Sequence, residues 1–457
     1  MKSRIIFFIA ALAVFSSSAN AQYFNTVQIN IPTCTTNYAK SIVRVAPSNT
    51  EVVSCHSHGT YDEFFLIDNN NVTRRFKVPN DIYVRDFQIV DNNVFFCGQK
   101  QDEAIVGHFD IQIFYLPNLY QFKYYTTIYS GNIVENYFKK MVAYQNQDDS
   151  FIRLEVIGDK VVDPDDPINI YNIFCEYIYD PLSDQIISSN YFNNSSYNNN
   201  SNNNSYFIYY QDGIYQDIAV TEDYLVVSGW DYSDQKLLIT RFPKYSVLSG
   251  GTTYEFDESA DPYTSSRIYL EALSSNDIAT AATYINTNTL QVGTRLRTFD
   301  LSTMSNTVSQ LLPMLDKTEP DDMLFMEEDQ SLLLLQQSFY PTISDFQHVI
   351  YYLDPYNNLY TTDAYYDFNS SYYSLDRFKY PIYIAAGLTP NYKHGYLMRF
   401  KPSTHVSCIK FGDVRIIPLD RILYNNIIPF SLLQASITPY SVDVGPEIWG
   451  LEMECMD

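Results

Sequence analysis

The chain has 457 residues, and its 53 acidic and 29 basic side chains give a formal net charge of −24 at pH 7. A surface this acidic repels phosphate backbones and anionic lipids, so the composition argues against nucleic acid as a partner. The sequence also contains 42 tyrosines and 29 phenylalanines. Aromatic side chains fit half-buried pleated sheets, so we expect most of them to pack in a β-rich core.

The first 21 residues have the pattern of a secretion signal. Two basic residues precede an apolar run from Ile5 to Phe15, and Ala19-Asn20-Ala21 forms a small-x-small cleavage site. The run is too short to span a bilayer comfortably, and no later stretch has the pattern of a spanning helix. We therefore expect residues 22–457 to be exported (periplasmic, at the cell surface or secreted), with no integral membrane segment.

After the signal, one order of short strands recurs along the chain. In 215-YQDIAVTEDYLVVSGWDYSDQKLLITRF-242, three apolar strands are separated by a tight acidic turn and a polar loop. The same order returns in six further segments with different letters. These segments are 41–70, 86–110, 141–158 completed by 173–181, 267–301, 323–355 and 374–402.

The third strand of the repeat ends in a recurring pair, an aromatic or aliphatic residue followed by aspartate. A short aspartate side chain can accept hydrogen bonds from the turn that follows, so we expect it to cap the turn into a fourth strand. The pairs are Ile67-Asp68, Phe109-Asp110, Tyr179-Asp180, Phe299-Asp300 and Leu353-Asp354, with Phe242-Pro243 and Phe400-Lys401 as degenerate copies.

Repeats of about 40–60 residues with four short strands each are typical of β-propellers. The pattern resembles secreted seven-bladed β-propellers over nearly all of Ser41 to Pro402. The resemblance implies an all-β ring of seven four-stranded antiparallel blades in a single domain, residues 22–457. It rests on periodicity, because the sequence lacks a WD dipeptide at blade ends, a kelch double glycine and an Asp-box. A pair of large β-sandwiches is the competing interpretation.

The two ends of the repeat region and one insertion depart from the pattern. Thr26 to Ile31 alternates as a strand does, and such a segment often completes the last blade of a propeller. The tail, residues 405–457, is expected to supply the fourth strand of the last blade and further closing strands. Residues 190–207 are rich in asparagine and serine, cannot bury a core, and are predicted to be a disordered loop.

All six cysteines lie after the signal, and an even number in an oxidising compartment permits up to three disulfides. The sequence does not fix the pairing, and buried free thiols are an open alternative. The candidates are Cys34, Cys55, Cys97, Cys175, Cys408 and Cys455.

The loops between the second and third strands are longer and more variable than the first turns. Variable loops on a rigid scaffold are the usual place for function, so we expect ligand recognition at that end of the ring. Trp230 with Asp231 and Tyr232 has the composition of a sugar-binding surface, and Tyr340 and Tyr392 occupy comparable loops. Packing of Trp230 between blades is an equally open interpretation.

Metal and catalytic signals are weak. His56 and His58 lie two residues apart and could face the same way on a strand, with Asp62 nearby, but ordinary polar loop residues are the favoured interpretation. The sequence has no G-x-S-x-G, no HExxH and no glycine loop for phosphate. We therefore expect no cofactor and no resident metal.

These observations favour an exported binding or scaffolding module, rather than an enzyme, that recognises a protein or a glycan through loops at one end of the ring. The alternative is a carbohydrate-active hydrolase or lyase that uses carboxylates in the central funnel. Propellers host both kinds of function, so the fold alone does not separate them.

Overall fold

The computed structural model shows an all-β protein, and no helix within its described part is long and apolar enough to cross a membrane. The predicted signal, residues 1–21, lies outside the described residues. The structure describes residues 25–29, 41–55, 62–68, 73–79, 81–111, 120–128, 135–145, 150–161, 170–193, 213–231, 236–244, 251–259, 267–286, 291–311, 317–340, 345–356, 363–367, 371–379, 382–388, 395–400, 423–424, 433–434, 436–444, 447–449 and 452–455.

The strands up to residue 259 comprise one N-terminal strand and four antiparallel meanders of four strands each. They are β1 (Asn25–Ile29), β2 (Ser41–Val45), β3 (Glu51–Cys55), β4 (Glu63–Ile67), β5 (Thr73–Lys77), β6 (Ile82–Val90), β7 (Asn93–Lys100), β8 (Glu103–Asp110), β9 (Tyr120–Ile128), β10 (Glu135–Gln145), β11 (Ile152–Val161), β12 (Ile170–Asp180), β13 (Gln185–Asn193), β14 (Gly213–Val220), β15 (Tyr224–Asp231), β16 (Lys236–Pro243) and β17 (Thr252–Ser259).

The strands from residue 268 to residue 400 continue the pattern with two more four-stranded meanders and a final set of three strands. They are β18 (Ile268–Ala272), β19 (Asp277–Asn286), β20 (Gln291–Asp300), β21 (Ser305–Leu311), β22 (Lys317–Met326), β23 (Ser331–Tyr340), β24 (Asp345–Leu353), β25 (Asp363–Asp367), β26 (Ser371–Lys379), β27 (Ile382–Leu388) and β28 (Gly395–Phe400).

The meanders are the blades of a β-propeller, which confirms the predicted fold class with its four-stranded antiparallel units. Counted by hydrogen bonding, however, there are six blades and not the predicted seven, because the strands group into six sheets. The reason is one parallel pair, Val292 with Lys317, which joins β20 to β22. That pair merges the meanders β18–β21 and β22–β25 into one eight-stranded sheet.

The first strand of each repeat lies innermost in the ring. These strands contact one another in a closed cycle of β2, β6, β10, β14, β18, β22 and β26, which then returns to β2. Apolar side chains fill the spaces between successive sheets, as between β3–β4 and β6–β9, where Phe64 packs edge-on against Phe87 and Phe109 with ring centroids 5.5 and 5.0 Å apart. The abundant aromatic residues therefore build the core, as expected.

The N-terminal strand completes the sheet of β26–β28. β1 pairs antiparallel with β28, from Asn25 opposite Arg399 to Ile29 opposite Gly395. This pairing confirms the prediction for the described residues 26–29. It corrects the expectation for the tail, because the fourth strand of the last repeat comes from the start of the chain and the tail strand beside it is the fifth.

The C-terminal tail adds a fifth strand to five of the sheets. Residues 405–417, predicted to close the last blade, lie outside the described residues. The tail strands are β29 (Leu423–Tyr424), β30 (Leu433–Gln434), β31 (Ser436–Val444), β32 (Glu447–Trp449) and β33 (Glu452–Cys455).

Aspartates at the ends of third strands cap the next turn, as predicted. Asp180 Oδ1 accepts the N–H of Leu182 at 2.9 Å, and Asp354 Oδ1 accepts the N–H of Tyr356 at 2.9 Å. Asp300 Oδ1 accepts the N–H of Ser302 at 2.8 Å. The recurring aspartate therefore has a local structural cause.

Two predictions need correction. Residues 190–193, placed in the disordered loop, belong to β13 because they pair with β12; the rest of the predicted loop lies outside the described residues. Cys97, a disulfide candidate, is a buried free thiol, which was the open alternative, and Cys175 is buried as well. Both pack in the apolar space between β7–β9 and β10–β13, which explains their burial. Cys34 and Cys408 lie outside the described residues.

Candidate functional site

A ring of charged side chains lines the central channel. Each innermost strand contributes one member, so the ring contains five carboxyl groups and two cations. Its members are Arg44 on β2, Asp86 on β6, Lys140 on β10, Asp217 on β14, Glu271 on β18, Asp322 on β22 and Asp376 on β26. We call this set the charged ring.

Bulges in the innermost strands place four members of the charged ring. The pairing with the second strand shifts by one residue immediately before Asp86, Lys140, Asp217 and Asp322. A bulge leaves one residue unpaired and re-aims the next side chain. The same irregularity therefore recurs in four repeats to direct a charged residue into the channel.

Glycines on the second strands make room for two of these bulges. Gly98 lies opposite Val84, and Gly158 lies opposite Phe138, each beside a bulge. A Cβ atom would lie 1.8 Å from the Tyr83 carbonyl oxygen at Gly98 and 2.0 Å from the Tyr137 carbonyl oxygen at Gly158. Because the obstructing atoms are backbone, any larger residue would displace the innermost strand.

Each carboxylate of the charged ring accepts a hydrogen bond from the backbone of the next innermost strand. Such bonds satisfy buried N–H groups that no sheet neighbour reaches. The bonds are Met141 N to Asp86 Oδ2 at 3.1 Å, Leu270 N to Asp217 Oδ2 at 2.9 Å, Phe325 N to Glu271 Oε1 at 2.9 Å, Leu375 N to Asp322 Oδ2 at 2.8 Å and Val45 N to Asp376 Oδ2 at 2.7 Å.

The two cations supply the remaining links. Arg44 lies 3.7 Å from Asp86, and Lys140 lies 3.9 Å from Asp217, each across to the next innermost strand. With the five hydrogen bonds, every pair of neighbouring innermost strands is joined by a charged side chain. The charged ring is therefore structural as well as exposed to the channel.

Burial shifts the ionisation of three carboxyl groups of the charged ring. Burial, together with the nearby Asp322 and Asp217, raises the pKa of Glu271 to about 8 against the opposing hydrogen bond from the Phe325 N–H. Burial also raises the pKa of Asp217 to about 6, with Lys140 opposing, and that of Asp376 to about 6, with Arg44 opposing. At neutral pH Glu271 is therefore largely a neutral acid among ionised carboxylates.

The charged ring borders a cavity of about 310 Å³. The cavity is also lined by the last residues of the innermost strands, such as Ala219 and Val220 on β14 and Ala272 on β18, so it lies towards the first turns. Ionised carboxylates accept hydrogen bonds, whereas protonated Glu271, Lys140 and Arg44 donate them. A cavity with both kinds of group fits hydroxyl or amide groups of a ligand.

Three of the five predicted loop residues lie on described strands and not in loops. Trp230 and Asp231 belong to β15 and not to a loop, because the ladder continues past Gly229 with β14 on one side and β16 on the other. Trp230 is 5% exposed and packs in the apolar cluster between β14–β17 and β18–β20. Tyr340 ends β23, whereas Tyr232 and Tyr392 lie outside the described residues.

Of the three weak metal candidates, the structure describes Asp62. His56 and His58 lie outside the described residues, while buried Asp62 accepts the N–H of Val84 on the neighbouring innermost strand. Among the residues that the structure describes, no group of three or more His, Cys, Asp or Glu side chains could hold a metal ion.

The charged ring itself was not predicted from the sequence. The signal that could have found it is one charged residue a few positions before the first turn of each repeat, as in 86-DFQIVDNN, 217-DIAVTED and 322-DMLFMEED. In four of the strands a bulge shifts the alternation of side chains by one residue, so a simple two-residue pattern does not reveal this shared position.

No family model matches the chain, and no curated protein matches its sequence. Similar solved structures include the following two, both at low identity. Raptor from Chaetomium thermophilum aligns at 9% identity and a TM-score of 0.43, covering 83% of this chain and 30% of that chain. The Dos1 propeller aligns at 8% identity and a TM-score of 0.46, covering 80% of this chain and 78% of that chain. This chain thus spans under a third of the matched Raptor chain.

Proposed function

We propose that this chain is an exported binding module whose ligand places a hydroxyl-rich group, such as the terminal sugar of a glycan, in the central cavity. The observation that carries this proposal is the charged ring around a cavity of about 310 Å³. Small-molecule sites start at about 300 Å³, so the space suits one sugar ring. A protein that inserts a polar side chain is the alternative ligand.

A specific observation favours a second candidate function, hydrolysis or elimination on a glycan. Glu271, with a pKa of about 8, is a neutral acid beside ionised carboxylates, and glycoside hydrolases pair a protonated with an ionised carboxyl group. We rank binding first because each carboxylate of the charged ring already holds a backbone N–H of the next innermost strand.

One experiment separates the two candidates. The purified mature protein is screened against a panel of polysaccharides and mucins, with both bound ligand and released sugar ends measured. Glu271→Gln keeps the size and neutrality of protonated Glu271, so a binding module retains its affinity at pH 7, whereas a hydrolase loses cleavage. Released ends from the wild type, lost in this variant, would overturn the non-catalytic proposal.

We also propose that the eight-stranded sheet serves as two blades, which makes seven units in the ring. The support is the closed cycle of seven innermost strands and the single pair between Val292 and Lys317. Projection images of the particle by electron microscopy test this proposal, since six and seven units differ in ring symmetry.

Export rests on the pattern of residues 1–21 alone. We propose a mature N-terminus at Gln22, and mass spectrometry of the protein recovered outside the cytoplasm checks it. An intact residue 1–21 segment on the recovered protein would contradict export by a cleaved signal.

A further inference from the structure

The bulges that place four members of the charged ring also leave one residue unpaired in each of those innermost strands. The unpaired residues are Arg85 on β6, Lys139 on β10, Gln216 on β14 and Asp321 on β22. Each precedes a member of the charged ring by one position, so the four form a second layer on the side away from the first turns. None of these four residues lines the cavity of the charged ring.

Two cations of this layer lie beside one aromatic ring on β10. The Arg85 guanidinium carbon lies 5.5 Å from the centroid of the Tyr137 ring, and Lys139 Nζ lies 5.8 Å from the same centroid. Burial, together with the charge of Arg85, lowers the pKa of Lys139 against the opposing ion pair with Asp159. The two positive charges are therefore close enough to repel each other.

Lys139 and Tyr137 are held in place by Asp159 on β11. The Lys139 ammonium forms an ion pair with Asp159 Oδ2 and donates to the Tyr215 carbonyl oxygen at 3.4 Å. The Tyr137 hydroxyl donates to the same Asp159 oxygen at 2.9 Å. An ammonium group has three donors, so one donor of Lys139 remains for a ligand.

Arg85 differs from the other cations of this layer because no carboxylate neutralises it. Its side chain is exposed, and among the described residues its guanidinium has no ion pair and no hydrogen-bond partner. Arg267, directly before β18, donates to Asp321 at 2.6 Å, whereas Lys139 is paired with Asp159. In a chain with a net charge of −24, a cation left without a carboxylate attracts an anionic group.

The charge and shape of this place select the anionic group. Arg85, Lys139 and Asp159 together leave one positive charge, which one carboxylate neutralises. The planar guanidinium matches the two oxygens of a carboxylate, and charge-assisted hydrogen bonds of this kind are stronger than neutral ones. A phosphate monoester carries about two negative charges at pH 7, so it would leave an excess of negative charge in an acidic protein.

A further acceptor indicates what surrounds the carboxylate in the ligand. Asp159 is 1% exposed, and its second oxygen, Oδ1, has no hydrogen-bond partner among the described residues. A buried acceptor without a partner is costly, so a hydroxyl group that donates to it is favoured. Hydroxyl groups beside a carboxylate are the chemistry of an acidic sugar.

We propose that Arg85 and Lys139 form a second binding site, separate from the cavity of the charged ring, for the carboxylate of an acidic sugar. Arg85 donates hydrogen bonds to the carboxylate, and Lys139 supplies the second positive charge. The site does not depend on a ligand in the cavity.

Calorimetric titration of the full mature chain with D-glucuronate tests the proposal. D-Glucose is the uncharged counterpart, inorganic phosphate the more highly charged one, and N-acetylglycine supplies a carboxylate without a sugar. We expect D-glucuronate to bind more tightly than the other three. We expect Arg85→Gln to weaken its binding by at least about tenfold, as for the loss of a hydrogen bond between charged groups, and Arg85→Lys to weaken it less.

Two control variants separate this site from other causes. Arg241 on β16 also lies over a tyrosine ring, with its guanidinium carbon 5.0 Å from the centroid of Tyr224, so Arg241→Gln makes the same change of charge on a third strand. Ala272→Phe fills the cavity of the charged ring. We expect both variants to bind D-glucuronate as the wild type does.

Each other outcome overturns the proposal. A wild type that does not bind D-glucuronate, or that binds D-glucose equally well, would show that the two cations do not select a carboxylate. Tighter binding of phosphate or of N-acetylglycine would refute the acidic sugar as the ligand. Unchanged affinity in a folded Arg85→Gln protein, or an equal loss in Arg241→Gln, would refute the role of Arg85, and a loss in Ala272→Phe would place the ligand in the cavity instead.

Discussion

Asp376 Oδ2 accepts the N–H of Val45 at 2.7 Å, and this bond joins the innermost strand of the last repeat to that of the first. A second bond between the same two strands comes from Arg44, whose Nη1 donates to Ser374 Oγ at 3.2 Å. Asp376→Ala leaves the Val45 N–H without this acceptor, and we expect a loss of about 1–3 kcal/mol in the free energy of unfolding.

Asp376→Asn is the matched control for this bond. Its amide oxygen still accepts a hydrogen bond, so the variant keeps most of the stability that Asp376→Ala loses. Urea unfolding followed by tyrosine fluorescence measures both variants. Equal midpoints for the alanine variant and the wild type would refute a stabilising role for the bond.

The raised pKa of Glu271 makes stability depend on pH. In the folded protein burial keeps this carboxyl group protonated up to a pKa of about 8, against 4.5 for the ordinary group. The folded state therefore binds more protons than the unfolded state between these values, and its stability falls as pH rises through that window. Glu271→Gln removes this contribution. We expect the melting temperature of the variant to fall less than that of the wild type between pH 5 and pH 8.

The raised pKa values of Asp217 and Asp376 also make the stability of the protein fall as pH rises. Their window lies lower and ends at about pH 6. Their contribution persists in Glu271→Gln, so a residual slope below pH 6 is expected. Identical pH profiles of the wild type and the Glu271 variant would contradict the burial of that carboxyl group.

Substitution of Gly98 by alanine tests whether the bulge before Asp86 requires a glycine on the neighbouring strand. A Cβ atom there would lie 1.8 Å from a backbone oxygen, so Gly98→Ala must displace the strand that carries Asp86. We expect a loss of at least about 3 kcal/mol, in the range of severe core substitutions. Gly251→Ala is the comparison, because its added Cβ would also be crowded, at 2.4 Å from the buried Phe242 ring, but by side-chain atoms that can shift more readily than backbone. Calorimetry should give Gly98→Ala a clearly lower melting temperature than Gly251→Ala.

β33 holds the N-terminal strand from its outer side. β1 pairs with β28 on one edge and with β33 on the other. Deletion of residues 451–457 leaves β1 with one neighbour, so its amides should exchange faster while those of β15, in a different sheet, stay unchanged. Unchanged exchange of β1 would show that β33 does not stabilise the N-terminal strand.

The repeats were predictable because each strand contains a short apolar run and the turns between strands contain polar residues. The aspartates Asp180, Asp300 and Asp354 were identified from their position alone, since their capping bonds are local. The role of β1 was also predictable, because one alternating strand lay outside the repeats.

Features that depend on contacts between repeats were not predictable in the same way. The pair Val292–Lys317 that merges two meanders has no local signal. Trp230 was assigned to a loop because the stretch 229-GWDYSDQ-235 is rich in turn-forming residues, yet pairing on both sides extends β15 through Asp231. The charged ring becomes visible only in the folded structure, where the seven innermost strands, four of them with a bulge, bring their charged residues around one cavity.

The most direct test of a ligand site in the channel is a binding titration with the glycan found in the panel screen. Ala272→Phe fills the cavity without changing charge, whereas Asp300→Asn changes charge at an exposed turn outside the channel. We predict that Ala272→Phe weakens binding by more than about tenfold, or about 1.4 kcal/mol, and that Asp300→Asn leaves it unchanged. Wild-type affinity in a correctly folded Ala272→Phe protein would contradict the account.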